Sequence, residues 1–491
     1  MPLFFLGIDN GGTMTKSALF DMSGNEIAVC ALDTPVLMPQ DGWNERDMEQ
    51  LWQITKQTIR GVIQKSQVDP KDIAGVGCTG HGKGLYLWGK DGRPAANAVA
   101  STDHRAFDIA ERLKEEGITA RAAEKTLQEL RDCHPVSLLC WFKENNPEVY
   151  QNIGWVFEAK DYIRFRLTGE AFAEMTDYSG TGLMNLHTCA FDRELLELYG
   201  LDEIYDSLPP LKASCELCGK VTKEVADETG LNPGTPVCGG MFDIDACAVA
   251  MDVLDEEKVC VITGTWSINE YVARAPVYGN KTTLNSLFCV PGLYLIEESS
   301  PTSAGNLDWL MDVLHKGKDY DSVNVAVEGI APEDSNVIFL PYLYGTNCSV
   351  SKGAFLNLTN KTTEAQMLRA VYEGVAFSHK MHVDRLLALR EKPISIRIAG
   401  GAVKSDVWLQ IFADVLNIPL EVVSTDELGT LGAAMAAAVC AGVYRDYPEA
   451  AKSMVNCRKT IFPNPSRKES YHKKYVAFTS VIDALSQVYG G

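Results

Sequence analysis

Apolar residues run from Leu3 to Ile8 and stop at Asp9, the pattern of a strand buried in a sheet. Asn10, Gly11 and Gly12 form a tight turn, and a second strand leaves through Ser17 to Phe20. Met48, Leu51, Trp52, Ile59, Val62 and Ile63 recur at helical spacing and predict a helix from about Asp47 to Lys65, with Asn44 as its cap. Ile73 to Cys78 predicts another buried strand. It opens into the glycine-rich stretch Thr79-Gly80-His81-Gly82-Lys83-Gly84, followed by a strand from Leu85 to Trp88. Further along, a strand at Trp155-Val156-Phe157 precedes a helix from Asp161 to Leu167, and a strand opening near Gly234 ends at Gly239-Gly240-Met241-Phe242-Asp243.

Near Val259 the pattern starts again. Val259 to Ile262, a Thr263-Gly264-Thr265 turn and Trp266 to Tyr271 repeat the strand, small turn, strand order of the N-terminus. A long helix from about Glu364 to Arg390, a strand from Ile394 to Ile398, a Gly400-Gly401 turn and a helix from about Ser405 to Leu416 follow. A final helix starts near Gly429 and runs through the alanines. Strands alternate with helices in both halves, so the class is α/β. The division falls near Met251, into residues 1–250 and 251–491.

A chain of 491 residues with 46% hydrophobic side chains fits two domains with large buried sheets. The formal net charge of −20, without a long basic run, argues against nucleic acid and against an anionic membrane surface as partners. The N-terminus lacks the basic start of a signal peptide, and the apolar run from Leu431 to Tyr444 is too short to span a bilayer. Fourteen cysteines without a framework point to a reducing, cytoplasmic setting. Cys215 and Cys218 form a lone CxxC with no second pair at zinc spacing. The oligomeric state is left open, with a homodimer among the options.

The chemistry gathers at the turns. Small residues let the backbone N–H groups of the first hairpin approach an anion, and Thr13, Thr15 and Lys16 add hydroxyls and a cation. Asp9, at the strand end, has the place of a carboxylate that holds magnesium through water. The order GxxxxGK[ST] is absent, so this is not a Walker loop. An ordinary Asn-Gly hairpin is the alternative; the second hairpin at Thr263 favours two phosphate turns facing one nucleotide. Asp243 is the first choice for a general base, unless it merely caps the next helix. Asp245 competes for the role if the strand continues, because it would share a face with Asp243. Gly400-Gly401 offers flat backbone and a helix N-terminus to a nucleotide, or is simply a tight turn. His81 and Lys83 supply polar groups for a sugar. Asp103 and Arg105 either do the same or pair with each other. His134 reads as a local structural residue before Pro135.

Taken together, these stretches resemble the FGGY carbohydrate kinases of the actin-like ATPase superfamily. The resemblance rests on Gly7-Ile8-Asp9-Asn10-Gly11-Gly12-Thr13, Gly42-Trp43-Asn44-Glu45-Arg46-Asp47, Asp161 to Gly169 with Thr176-Asp177-Tyr178-Ser179, Gly264-Thr265, and Gly400-Gly401 with Asp406 to Gln410. It implies two ribonuclease-H-like domains with a small ketose or polyol and MgATP in the cleft between them. It further implies Asp243 as base, Asp9 as organiser of magnesium, and nucleotide contacts from Gly11, Gly12, Thr13, Thr15, Lys16, Gly264, Thr265, Gly400, Gly401 and Ser405. Sugar contacts are expected from His81, Lys83, Asp103 and Asp243. Three positions depart from the family pattern: Leu138 replaces a lysine, Ser405 an asparagine and Ser101 a tryptophan. They imply a branch away from the glycerol and D-xylulose kinases. A sugar-responsive regulator would need a DNA-binding extension, and a filament or chaperone ATPase would leave the His81 loop unexplained.

Overall fold

The computed structural model describes residues 3–489 apart from 265, 279–282, 316, 318 and 346–351. The main elements are β1 (Phe4–Asn10), β2 (Met14–Asp21), β3 (Glu26–Asp33), α1 (Met48–Ser66), β4 (Ile73–Gly80), α2 (Ala159–Thr168), β5 (Pro236–Cys238) and α3 (Asp243–Ala250). In the second half they are β6 (Lys258–Thr263), β7 (Ser267–Ala273), β8 (Tyr294–Ser300), α4 (Glu364–Leu387), β9 (Ser395–Gly400), α5 (Asp406–Leu416), β10 (Leu420–Val423) and α6 (Leu428–Cys440).

Two seven-stranded sheets are built on one plan. In the first, β3, β2 and β1 pair antiparallel, and β4 and β5 continue parallel to β1. In the second, β8, β7 and β6 pair antiparallel, and β9 and β10 continue parallel to β6. This repeated three-antiparallel, two-parallel order is the two related domains suggested by the hairpin repeat, in the ribonuclease-H-like architecture implied by the family resemblance.

The pleat of β1 decides what each residue meets, because alternate side chains face opposite sides. Leu6 and Ile8 join Leu19 and helix α1 in one core. Phe5, with Ala18 and Phe20, joins α3 and α6 in another. That second core also takes Cys260, Val272 and Leu295 from the second sheet, so α3 and α6 form a shared layer between the two sheets. The outer face of the second sheet packs Val259, Val261, Ile396 and Ile398 against α4 and α5. Helix α6 approaches β1 so closely that a Cβ on Gly7 would lie 1.8 Å from the Thr430 carbonyl oxygen. Only glycine permits that contact.

Three details differ from the sequence reading. Asp47, not Asn44, caps α1, accepting from the Gln50 N–H at 2.9 Å. Asn44 instead donates its backbone N–H to Asp103. The strand after His81 (Tyr86–Gly89) leaves the main sheet and pairs with Ile153–Phe157 in a separate ribbon. Helix α6 is not the last; Tyr447–Met454 and Lys468–Tyr489 follow it. Among the described residues no helix is long and apolar enough to cross a membrane, every cysteine is free, and no cluster of His, Cys, Asp or Glu is arranged to hold a metal.

Candidate active site between the two sheets

The parity of the first hairpin separates its polar residues. Asp9 pairs across the ladder with Lys16, and Asn10 with Thr15. Asn10 and Thr15 face α1: Asn10 Nδ2 donates to Thr55 Oγ1 at 3.1 Å and to Thr15 Oγ1 at 3.3 Å, and Thr15 Oγ1 meets Thr34 Oγ1 at 2.9 Å. Thr15 is fully buried in this network, which corrects its assignment as a nucleotide contact. Asp9 and Lys16 face the other way, toward α6. Lys16 Nζ pairs with Glu427 at 3.0 Å, and Asp9 lies against Gly429, where an added Cβ would sit 2.5 Å from Oδ2. Asp9 Oδ1 is buried without a hydrogen-bond partner, and burial raises its pKa to about 6 despite the opposing charge of Lys16. A buried, unpartnered carboxylate oxygen beside a phosphate-type turn fits a water-retaining cation such as magnesium, which binds through few protein ligands. The turn itself is open, with Gly12 and Thr13 exposed.

Asp243 is the first residue of α3. The segment that delivers it is fixed at several points. Thr79 Oγ1 donates to the Met241 carbonyl at 2.8 Å, the Phe242 N–H donates to Thr176 Oγ1 at 2.9 Å, and Arg164 Nη1 donates to the Gly239 carbonyl at 2.6 Å. Arg164 is held by Asp161 at 2.7 Å, and Lys160 by Asp161, Glu174 and Asp177 at 3.0–3.3 Å, all fully or almost fully buried. The stretches Asp161–Gly169 and Thr176–Ser179 thus form the frame beneath Asp243. Desolvation, then the charges of Asp9 and Asp177, hold the Asp243 carboxyl well above the usual range. Asp245 does not share its face. Two residues on a helix are about 200° apart, and Asp245 Oδ1 instead accepts the Cys289 N–H at 3.0 Å inside the shared core.

The His81 loop borders the same region. Its backbone N–H donates to the Asn10 carbonyl at 3.2 Å, and His81 Nε2 meets the Tyr86 hydroxyl at 2.8 Å, leaving Nδ1 without a partner. Burial and the Arg46 charge lower the His81 pKa to about 3, so the ring is neutral. Lys83, at φ 61°, lies 5.9 Å from the centre of the Phe242 ring. Three further groups lie here: Glu158, which sequence reasoning missed, and His134 and Asp177, which it did not assign to a site. Glu158 is 1% exposed with both carboxylate oxygens unpartnered, and its carboxyl is raised by burial and by Asp177. His134 is buried with Nε2 unpartnered. Asp177 lies under Gly82, its carboxyl pushed up to about 7, chiefly by burial. Asp103 is not part of this wall. Its Oδ1 accepts from Arg105 N and Nε, and its Oδ2 from Asn44 N and Arg105 Nη2. The carboxylate is fully enclosed and fully used, which corrects its assignment as a sugar contact in favour of the ion pair.

On the second sheet, the Gly264 N–H donates to the Trp266 carbonyl at 3.2 Å, closing the second turn. Thr265, assigned to the nucleotide, lies outside the described residues. Trp266 is 39% exposed beside the turn rather than packed in the core. Gly400 has φ 92°, and a Cβ there would come within 2.5 Å of the Thr263 carbonyl oxygen, so the Gly400-Gly401 turn lies directly on the second hairpin. Gly400, Gly401 and Lys404 line a cavity of about 290 Å³ with Lys16, Asp426 and Glu427. One cavity therefore joins a residue of the first hairpin to the glycine turn of the second domain. Ser405 is outside its lining. Its hydroxyl caps α5, accepting the Trp408 N–H at 3.1 Å, and donates to Asn324 at 2.6 Å, which corrects its assignment to the nucleotide.

This arrangement has close relatives. The model for the N-terminal domain of the FGGY family of carbohydrate kinases matches residues 4–250, and that for the C-terminal domain matches 259–441. The chain is 37% identical over 488 residues to an L-xylulose/3-keto-L-gulonate kinase of Escherichia coli K12, covering 99% of this chain and 98% of the relative. It is 38% identical over 486 residues to a probable L-xylulose kinase of Pasteurella multocida, covering 98% and 99%. Its fold matches a ligand-bound xylulose kinase of Lactobacillus acidophilus with a TM-score of 0.91 at 25% identity, covering 99% of both chains. A gluconate kinase from the same organism matches with a TM-score of 0.91 at 24% identity, covering 100% of this chain and 99% of the other. With both halves matched in order and the two sheets enclosing one candidate cleft, the chain belongs to the FGGY family of carbohydrate kinases.

Proposed function

We propose that this carbohydrate kinase transfers the γ-phosphoryl group of ATP to a terminal hydroxyl of L-xylulose or a close ketopentose, with magnesium. The observation that supports this best is the meeting of Asp243 and Asp9, each with its pKa raised by burial, between the phosphate-type hairpin and the His81 loop. As the sugar oxygen bonds to the γ-phosphorus, Asp243 accepts the hydroxyl proton, and the bond between the γ-phosphorus and the bridging oxygen breaks to release ADP. A carboxylate with a raised pKa is a stronger proton acceptor than an exposed one. Lys16 and the Gly12 and Thr13 amides would hold phosphate oxygens, Gly400-Gly401 would lie against the nucleoside, and Asp9 would hold magnesium through water. Bound there, magnesium would neutralise charge on the phosphates. His81 Nδ1 and Lys83 would hydrogen-bond the sugar. A cytosolic enzyme agrees with the free cysteines.

The choice of sugar is supported by the two relatives and by stretches from Gly82, His134, Gly264 and Ser300 that are similar to L-xylulose kinases. A site that hydrogen-bonds a particular hydroxyl discriminates strongly against an epimer that leaves its buried groups unpaired. In a coupled assay of ADP release, L-xylulose is expected to give the highest kcat/KM among L-xylulose, D-xylulose, L-ribulose, erythritol and glycerol. A lead for D-xylulose or erythritol overturns the sugar; no sugar-dependent ADP release overturns the reaction. Lys83 has no ion pair among the described residues, and an ammonium there also suits an acid group, so 3-keto-L-gulonate belongs in the panel.

A further inference from the structure

The first hairpin is held from behind by a residue that neither the repeat nor the glycines reveal. Arg46 sits just before α1 and is 2% exposed. Its Nη1 donates to the Gly11 carbonyl at 3.1 Å, and its Nη2 donates to the Gly12 carbonyl. The guanidinium also lies against the Tyr86 hydroxyl, which His81 holds from the other side. A buried, always-charged fork thus binds the two carbonyls at the tip of the turn.

The consequence follows from peptide geometry. In a trans peptide the C=O of one residue and the N–H of the next point in opposite directions. With the Gly11 and Gly12 carbonyls drawn inward by Arg46, the N–H groups of Gly12 and Thr13 are turned outward. Those two amides make no hydrogen bond among the described residues, and both residues are exposed. Gly12 has open space where a Cβ would be. The turn is therefore presented as outward-facing amides on a fixed base, the geometry that receives an anion.

We propose that Arg46 is a positioning residue for phosphoryl transfer: by holding the Gly11 and Gly12 carbonyls it aims the Gly12 and Thr13 amides at the phosphates of ATP. This rests on the reading of the first hairpin as a phosphate turn. Without the guanidinium the two peptide planes are free to rotate, and phosphate binding must first pay to order them. The adenosine end, held by the other domain, is untouched.

The test is calorimetric binding of ADP and of adenosine to the full-length parent, Arg46→Gln, Arg46→Lys and Lys16→Ala, with kcat from the coupled assay. Arg46→Gln is expected to weaken ADP about tenfold, leave adenosine within about twofold of the parent, and lower kcat at saturating ATP. Arg46→Lys, which keeps the charge and one carbonyl bond, is expected to fall between the two. Parent-like ADP affinity in Arg46→Gln, or equal loss of ADP and adenosine, overturns the proposal. If Arg46→Gln fails to fold, Arg46→Lys decides by the same comparison, and equal ADP affinity in it overturns the proposal. Lys16→Ala isolates the underlying reading: ADP binding unchanged there places the phosphates elsewhere and overturns both.

Discussion

Asp243→Asn is expected to lower kcat by roughly 10²–10⁴ while KM for sugar and ATP changes little. The isostere keeps the shape of the side chain but cannot take the hydroxyl proton as the phosphorus–oxygen bond forms. Its backbone is anchored through Met241, Phe242 and Gly239, so the substitution leaves the surrounding frame in place. The parent's pH profile carries the same signature. Burial and the charges of Asp9 and Asp177 raise the Asp243 pKa, so activity should fall on the acid side at a higher pH than an ordinary aspartate would give. That limb should vanish in Asp243→Asn, whose residual rate no longer depends on the base. Asp245→Asn is the control: its carboxylate accepts the Cys289 N–H inside the core, and the amide keeps that acceptor, so kcat should stay near the parent value. A near-normal kcat in Asp243→Asn with a dead Asp245→Asn would assign the proton to the wrong carboxylate.

The second large effect is expected at Asp9. Asp9→Asn should raise the magnesium requirement by about 10- to 100-fold, the range for groups that orient a metal's ligands, and depress turnover, with sugar affinity in the absence of nucleotide unchanged. Its effect on stability should have the opposite sign. Asp9 keeps its proton in the folded chain up to about pH 6 but loses it near 3.8 when unfolded. Between those values the folded state binds more protons, so this group's contribution to stability falls as pH rises through that window and stays low above it. At pH 7 with a chelator present, Asp9→Asn removes a buried, unpartnered charge and should melt at or above the parent temperature. A magnesium titration at saturating ATP checks the first part; an unchanged requirement would make Asp9 a turn residue only. A melting temperature clearly below the parent's would contradict the second.

What could be read from the chain in advance was local and periodic. The two hairpins, the Gly400-Gly401 turn and most of the helices announce themselves through runs of about ten residues, and so did the architecture, because one plan is used twice. Thr15 was legible but misread: it shares a strand face with Leu19 and Asn10, so the pleat alone turns it away from Lys16 and the cleft. Asp245 competed with Asp243 only if the strand continued, and a helix begins there instead. The Asp103–Arg105 pair was legible, two residues apart, as one of two readings. Ser405, Arg46 and Glu158 are of another kind. Their roles depend on Asn324, Gly11 and Asp177, and for Asn324 and Gly11 the separation is tens of residues. No pattern within a window specifies such meetings. Only the fold decides which carboxylate is neutralised by a guanidinium and which is left without a partner.

Helix α6 carries a consequence for how the molecule is made. Residues 428–440 cover Gly7 and Gly77 on the first sheet, yet they leave the ribosome long after every strand of that sheet. A nascent chain that has reached residue 250 already holds every strand of that sheet, but the face carrying Phe5, Ala18 and Phe20 has only α3 over it and lacks α6. The first sheet is laid down before the second but is covered in full only after most of the second is made. Contacts of such long sequence separation form slowly, and an apolar face left open meanwhile invites self-association and the attention of chaperones. The two sheets look like separable modules in sequence, but a gene cut between them would yield an N-terminal product that lacks the α6 part of its own roof.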